Sequence, residues 1–127
     1  MALVLLVVAS GCGESRVVKV TGRLTYKDRA VPNVWVSFHH EDGSRASRGK
    51  TGEDGTFTLK YTKHELGAVR GRHNVSLEYD PRAEEEGKPS PIDAETRKAL
   101  ARYADSSTSG LQYEVTHDGQ VIEINLP

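Results

Sequence analysis

Few residues in this chain stand where their types and spacing could do chemistry, and the first is Cys12, the sole cysteine. It closes the run Ala9-Ser10-Gly11-Cys12, directly after an apolar stretch from Ala2 to Val8. A thiol without an intramolecular partner, placed behind a short apolar segment and small residues, fits a processing site at which the cysteine becomes an acylated N-terminus. The segment is too short to span a bilayer core, which takes about 20 apolar residues. The expectation is a lipoprotein signal peptide over 1–11, a lipidated Cys12 with a linker to residue 16, and one domain over 17–127. No Lys or Arg precedes Leu3, so this reading expects an upstream start or a clipped leader. The competing reading is an N-terminal β-strand of a soluble protein.

Other clusters carry less. His39-His40-Glu41-Asp42 has zinc- or manganese-type donors, yet neighbours on a strand face opposite ways, so at best His39 and Glu41 converge. His64-Glu65 begins like a metalloprotease helix, but Ala68 occupies the place of the second histidine, which excludes the motif. Glu84-Glu85-Glu86 offers paired carboxylates and reads as a solvated charge run. Asn74-Val75-Ser76 is a chance glycosylation match inside a strand pattern. There is no G-x-S-x-G elbow, phosphate loop, dinucleotide fingerprint or paired-cysteine metal site. No catalytic residue, metal or cofactor is expected. The 17 basic and 18 acidic residues are interspersed, which argues against nucleic acid as a partner.

Any remaining site must be positioned by strands, because a period of two dominates from Val17 onward. Val18, Val20, Leu24 and Tyr26 share one face, with Gly22 marking a bulge. Val34, Val36 and Phe38 alternate with Trp35, Ser37 and His39, and a weak strand is expected near Arg48 to Thr51. Phe57, Leu59 and Tyr61 form the next strand after the Asp54-Gly55 turn, and Val75, Leu77 and Tyr79 another. Within the insertion from Asp80 to Ser109, Ser90 is expected to cap a helix over about 91–103 with Pro91 at its first position. A terminal hairpin is expected, with Leu111, Tyr113 and Val115 joined to Ile122, Ile124 and Leu126 by a type I′ turn at His117-Asp118-Gly119. Together these imply an all-β, antiparallel β-sandwich of about seven strands with one short helix.

The stretches VTGRLTYKDRAVPNVWVSF, TGEDGTFTLKY, GAVRGRHNVSLEY and ARYADSSTSGLQYEV, closing on INLP, resemble the small lipoproteins of planctomycete-type bacteria with a carboxypeptidase-regulatory-like, transthyretin-like domain. The most specific piece runs from Arg102-Tyr103-Ala104-Asp105 through Thr108-Ser109-Gly110-Leu111. Gly52 departs from the pattern, standing where an Asp is common, which weakens any idea that this turn holds a cation. The resemblance implies a transthyretin-like fold and a cell-envelope address, and it implies no chemistry.

The alternation leaves Trp35 on the outer face beside Ser37 and His39. An outward indole is an apolar plate for stacking a sugar ring or anchoring a partner, unless the helix or a loop covers it. The first expectation is therefore an exported, membrane-anchored lipoprotein, facing the periplasm or cell surface and acting as a non-catalytic structural or interaction module. Its partners would be membrane lipid through Cys12 and an envelope protein or glycan. The alternative is a carbohydrate- or peptide-binding module using Trp35, Ser37 and His39. An enzyme is a residual reading.

Overall fold

The computed structural model describes residues 16–127, so Cys12 and the leader lie outside the described residues. The strands are β1 (Val17–Val18), β2 (Val20–Tyr26), β3 (Arg29–Ala30), β4 (Val34–His40), β5 (Ser47–Lys50) and β6 (Thr56–Thr58). They continue as β7 (Lys60–Thr62), β8 (Glu65–Leu66), β9 (Ala68–Val69), β10 (Gly71–Tyr79), β11 (Gln112–Val115) and β12 (Gln120–Leu126). One sheet has the order β11-β10-β4-β5-β7-β8, a second runs β12-β2-β3 with β6 also on β2, and β1 pairs with β9 in a small two-stranded sheet. The architecture is an all-β sandwich.

Each sheet hides one face because its apolar residues recur every second position. Val34, Val36, Phe38, Val75 and Leu77 from the larger sheet meet Val20, Leu24, Ile122, Ile124 and Leu126 from the smaller in one buried cluster. Each fully enclosed Val or Leu contributes about 1.5–3 kcal/mol of transfer free energy. That apolar layer is the main attraction between the sheets.

Three local expectations change. Tyr113 and Val115 belong to β11, which pairs with β10, whereas β12 pairs with β2 in parallel, Gln120 opposite Val20 through Leu126 opposite Tyr26. The terminal segments therefore form a crossover between sheets and no hairpin. Asp118 Oδ1 accepts a hydrogen bond from Lys19 N at 2.8 Å, and Gly119 N donates to Lys19 O at 2.9 Å. These bonds dock the turn on the approach to β2. In the turn Gly119 has a positive φ of 82° and Asp118 does not, whereas a type I′ turn needs both central residues there.

Gly22 marks a close approach and no bulge, since β2 keeps unbroken register with β12 and β6 through it. A Cβ at Gly22 would fall 2.3 Å from Ile122 O and 2.4 Å from Phe57 Cζ. The third change concerns the helix, α1, which spans Ala94–Leu100 and continues as a 3₁₀ turn over Ala101–Tyr103. Asp93 caps it, its Oδ1 accepting from Thr96 N at 2.7 Å. Ser90 instead donates to Glu84 Oε1 at 2.6 Å. The helix starts late because Ile92 is first turned inward to join the core cluster, which also includes Ala99 and Leu100. The helix thus plugs one end of the sandwich, where Glu95 accepts from Tyr26 Oη at 3.1 Å and pairs with Lys27.

The expected consequence at Gly22 is overpacking. Gly22→Ala should destabilise the fold by about 1–3 kcal/mol, seen as a lower urea midpoint at unchanged slope. An unaltered midpoint would show that Phe57 and β12 shift freely.

Candidate functional site

Trp35 lies on β4 between Lys50 of β5 and Glu78 of β10 and is partly buried, its indole pointing away from the core. Its direct partner on β5 is Lys50, and Arg48 stands opposite Ser37. The Arg48 guanidinium carbon sits 4.5 Å and Lys50 Nζ 5.5 Å from the ring centroid, which is cation–π distance. Lys60, on β7, pairs in register with Arg48. Helix α1 takes its place at the other flank, where Arg97 lies 5.3 Å over the Tyr79 ring. On its β5 side the indole is thus flanked by cations, and on its β10 side by Glu78.

Arg48 and Lys50 are held rather than loose. Arg48 Nε donates to Ser37 Oγ at 3.3 Å, and Lys50 Nζ donates to Asp80 Oδ2 at 3.4 Å. Asp80 also accepts from Arg82 N, Nε and Nη2 at 3.0, 3.2 and 3.3 Å. Those Arg82 bonds, followed by the Lys50 contact, hold the Asp80 carboxyl down at about 2. Among the described residues, no carboxylate lies within ion-pair distance of Arg48 or Lys60.

Beside this group, the chain between β5 and β7 leaves a cleft of about 450 Å³ lined by Trp35, Arg48, Lys50, Thr56, Thr58 and Lys60 over the Gly49 and Gly52 backbone. The cleft exists because residues 56–62 change sheets. β6 pairs with β2, β7 pairs with β5, and Leu59 between them donates its N–H to Val20 O at 3.0 Å. Gly49 permits the crossing, since a Cβ there would lie 2.4 Å from Thr58 O. The single strand expected through Phe57, Leu59 and Tyr61 is thereby split in two.

Of the three outward residues read from the sequence, only Trp35 lines the cleft. Ser37 is only 9% exposed and serves as an acceptor for Arg48. His39 stands further along β4 opposite Asn74, with Nε2 3.1 Å from Ser76 Oγ. Arg48, Lys50 and Lys60 escaped the sequence reading. The alternation Arg48-Gly49-Lys50 was their signal, and it is short and interrupted by glycine.

The histidine cluster resolves differently from expectation. His40, rather than His39, turns toward a carboxylate, with Nδ1 2.7 Å from Asp42 Oδ1 and Nε2 2.8 Å from Arg70 O. Hydrogen bonds from Ser44, then the nearby His40, bring the Asp42 carboxyl down to about 2. Among the described residues, no group of three or more His, Cys, Asp or Glu side chains is arranged to hold a metal ion. Nor is Glu84 merely solvated: it pairs with Arg97 and accepts from Tyr79 Oη at 3.2 Å.

A further buried titratable group is His73 of β10, which is fully enclosed. Its Nε2 lies 2.6 Å from Val69 O, and its Nδ1 has no partner. A carbonyl can only accept, so Nε2 carries the proton of the neutral ring. The edge of the His40 ring meets it at 4.9 Å. Burial pushes the His73 pKa below 6.5, and the charge of His40 adds to that.

No family model and no curated protein matches the sequence. Among solved structures, a DUF3823 family protein from Bacteroides ovatus ATCC 8483 superposes with a TM-score of 0.47 at 12% identity, over 86% of this chain and 43% of that one. The chain spans less than half the length of that protein, and likeness at this level carries no argument about function.

Because the unfolded chain takes up the His73 proton before the folded one does, stability is full above pH 6.5 and falls as pH drops below it. Asp42 and Asp80 act in a separate window, stabilising above 3.8 and losing that contribution as pH falls toward 2. Urea midpoints measured from pH 8 downward should show both declines, and His73→Gln should remove only the upper one. An unchanged upper decline in that variant would assign it elsewhere.

Proposed function

We propose that this chain is an exported lipoprotein, held at a membrane by acyl chains on Cys12, whose sandwich is a non-catalytic interaction module of the cell envelope. The observation that carries the reading is the position of the one thiol, at the end of an apolar run and five residues before β1 begins at Val17. Five extended residues reach roughly 18 Å at most, so the sandwich would ride close to the lipid. Acylation at one site with two or more chains gives stable attachment, because each buried methylene contributes about 0.8 kcal/mol and a single chain binds only reversibly. The resemblance to planctomycete-type lipoproteins with a transthyretin-like domain supports the same address.

A second reading is favoured by a specific observation, the cleft beside Trp35. It makes the module a binding domain whose ligand packs against Trp35. Both readings are compatible in one molecule. Arg16 Nη2 bonds Asp42 Oδ2 at 3.3 Å and Ser44 Oγ at 2.6 Å, just past the His40 end of β4. Trp35 is near the other end of that strand, about 17 Å from His40 at the usual strand rise. The tether would therefore enter at one end of the sheet and leave the indole at the other.

Intact-mass analysis of the protein extracted from membranes tests the anchor. The expected species begins at residue 12 and carries added acyl mass, and Cys12→Ser should move the protein to the aqueous fraction with its leader uncut. An unmodified thiol on a chain that stays in the aqueous fraction would overturn the reading.

A further inference from the structure

The cleft beside Trp35 is lined by three cations and by no carboxylate. The cations are Arg48, Lys50 and Lys60, and the hydroxyls of Thr56 and Thr58 stand with them. Lys50 is committed to Asp80, while Arg48 and Lys60 have no carboxylate partner among the described residues. A shallower depression on the other side of the same pair adds Arg45 and Lys63 beside Trp35, Arg48 and Lys60. Opposing charges stand around its rim: Asp80 on Lys50, Asp54 on the Thr56 hydroxyl at 2.6 Å, and Glu78, which faces Trp35 from β10 on the side of β4 away from β5. Five of the chain's 17 Lys and Arg thus line the two depressions beside its one tryptophan.

We propose that this cleft binds an acidic polysaccharide, one whose pyranose rings carry carboxylates. The proposal rests on the second reading above and names the ligand class of that site. With Arg48 and Lys50 lying over the Trp35 ring, the indole offers the C–H groups of a sugar ring the apolar part of the cleft wall that those cations leave uncovered. The ring carboxylate suits Arg48, whose Nε is already used on Ser37 and whose remaining guanidinium N–H groups can take the anion in a forked pair. Lys60 serves as a second point charge; Thr58 can donate to or accept from a ring hydroxyl, and Thr56, whose Oγ1 donates to Asp54 Oδ1 at 2.6 Å, can accept from one. A volume of about 450 Å³, open along the edge of β5, takes one or two rings of a longer chain that runs on toward Arg45 and Lys63. Because Arg48 is pinned by both Ser37 and the ring of Trp35, little ordering is left for the ligand to induce. A lipid headgroup fits less well, since Trp35 and Arg16, where the described residues begin, lie toward opposite ends of β4.

Trp35 is the only tryptophan, so its fluorescence reports on this site alone. The full chain in detergent is titrated with oligogalacturonate, with a neutral galactan of equal length and with poly-glutamate. The expected result is saturable quenching by oligogalacturonate, weakened about tenfold or more in Arg48→Ala and in Lys60→Ala. Raising salt from 50 to 500 mM should weaken it in the same direction. Both substituted side chains are exposed, and circular dichroism checks that each variant folds. Equal binding of the galactan would overturn the role of charge, and equal binding of poly-glutamate would overturn the sugar. Absence of any saturable change in the folded wild type would overturn the whole proposal. None of these outcomes touches the Cys12 anchor, which the mass measurement reads separately.

Discussion

Leu59 is where the chain changes sheets, and both the closing of the core and the shape of the cleft follow from that step. Its side chain is fully buried, its N–H is given to Val20 in one sheet, and its carbonyl accepts from Gly67 N at 2.7 Å. An inward-facing residue at the crossing satisfies both sheets, because either sheet would point it at the same apolar layer. The crossing draws β6 onto β2 and returns β7 to β5. The gap left between β5 and the crossing segment is the cleft.

Around that gap, a chain of contacts fixes the outer face. Asp80, only 4% exposed on its side chain, takes Lys50; Lys50 and Arg48 flank the Trp35 ring; Arg48 reaches Ser37. Exposed ion pairs contribute little to stability on their own. Their effect here is on position, since a guanidinium held against an aromatic face has fewer rotamers to lose when it meets an anion. The structure therefore spends its buried apolar surface on joining sheets and its polar contacts on aligning one surface.

Strands with one buried face were legible in the sequence. Val34, Val36 and Phe38, and Ile122, Ile124 and Leu126, are inward as their alternation requires. What alternation cannot carry is partnership. The turn at His117 to Gly119 was correctly expected as a turn, but whether it reverses onto its neighbour or launches a crossover depends on Asp118 meeting Lys19, 99 positions away. The same holds for α1, where Ser90 and Asp93 both offer a capping oxygen and the burial of Ile92 selects the second. Trp35 was legible as outward because its neighbours on the strand are apolar. Arg48 and Lys60 were not, because solvent tolerates any polar residue and only the pairing of β5 with β4 and β7 brings them together.

The central claim is that the lone tryptophan sits partly open on the surface inside a positive field, and collisional quenching reads that directly. Iodide should quench the native emission far more efficiently than caesium, with neutral acrylamide between them, and the asymmetry should shrink as salt screens the cations. Equal efficiency for iodide and caesium, or an indole that neither ion reaches while acrylamide does, would contradict the arrangement of Arg48, Lys50 and Lys60 around Trp35 on which the account rests.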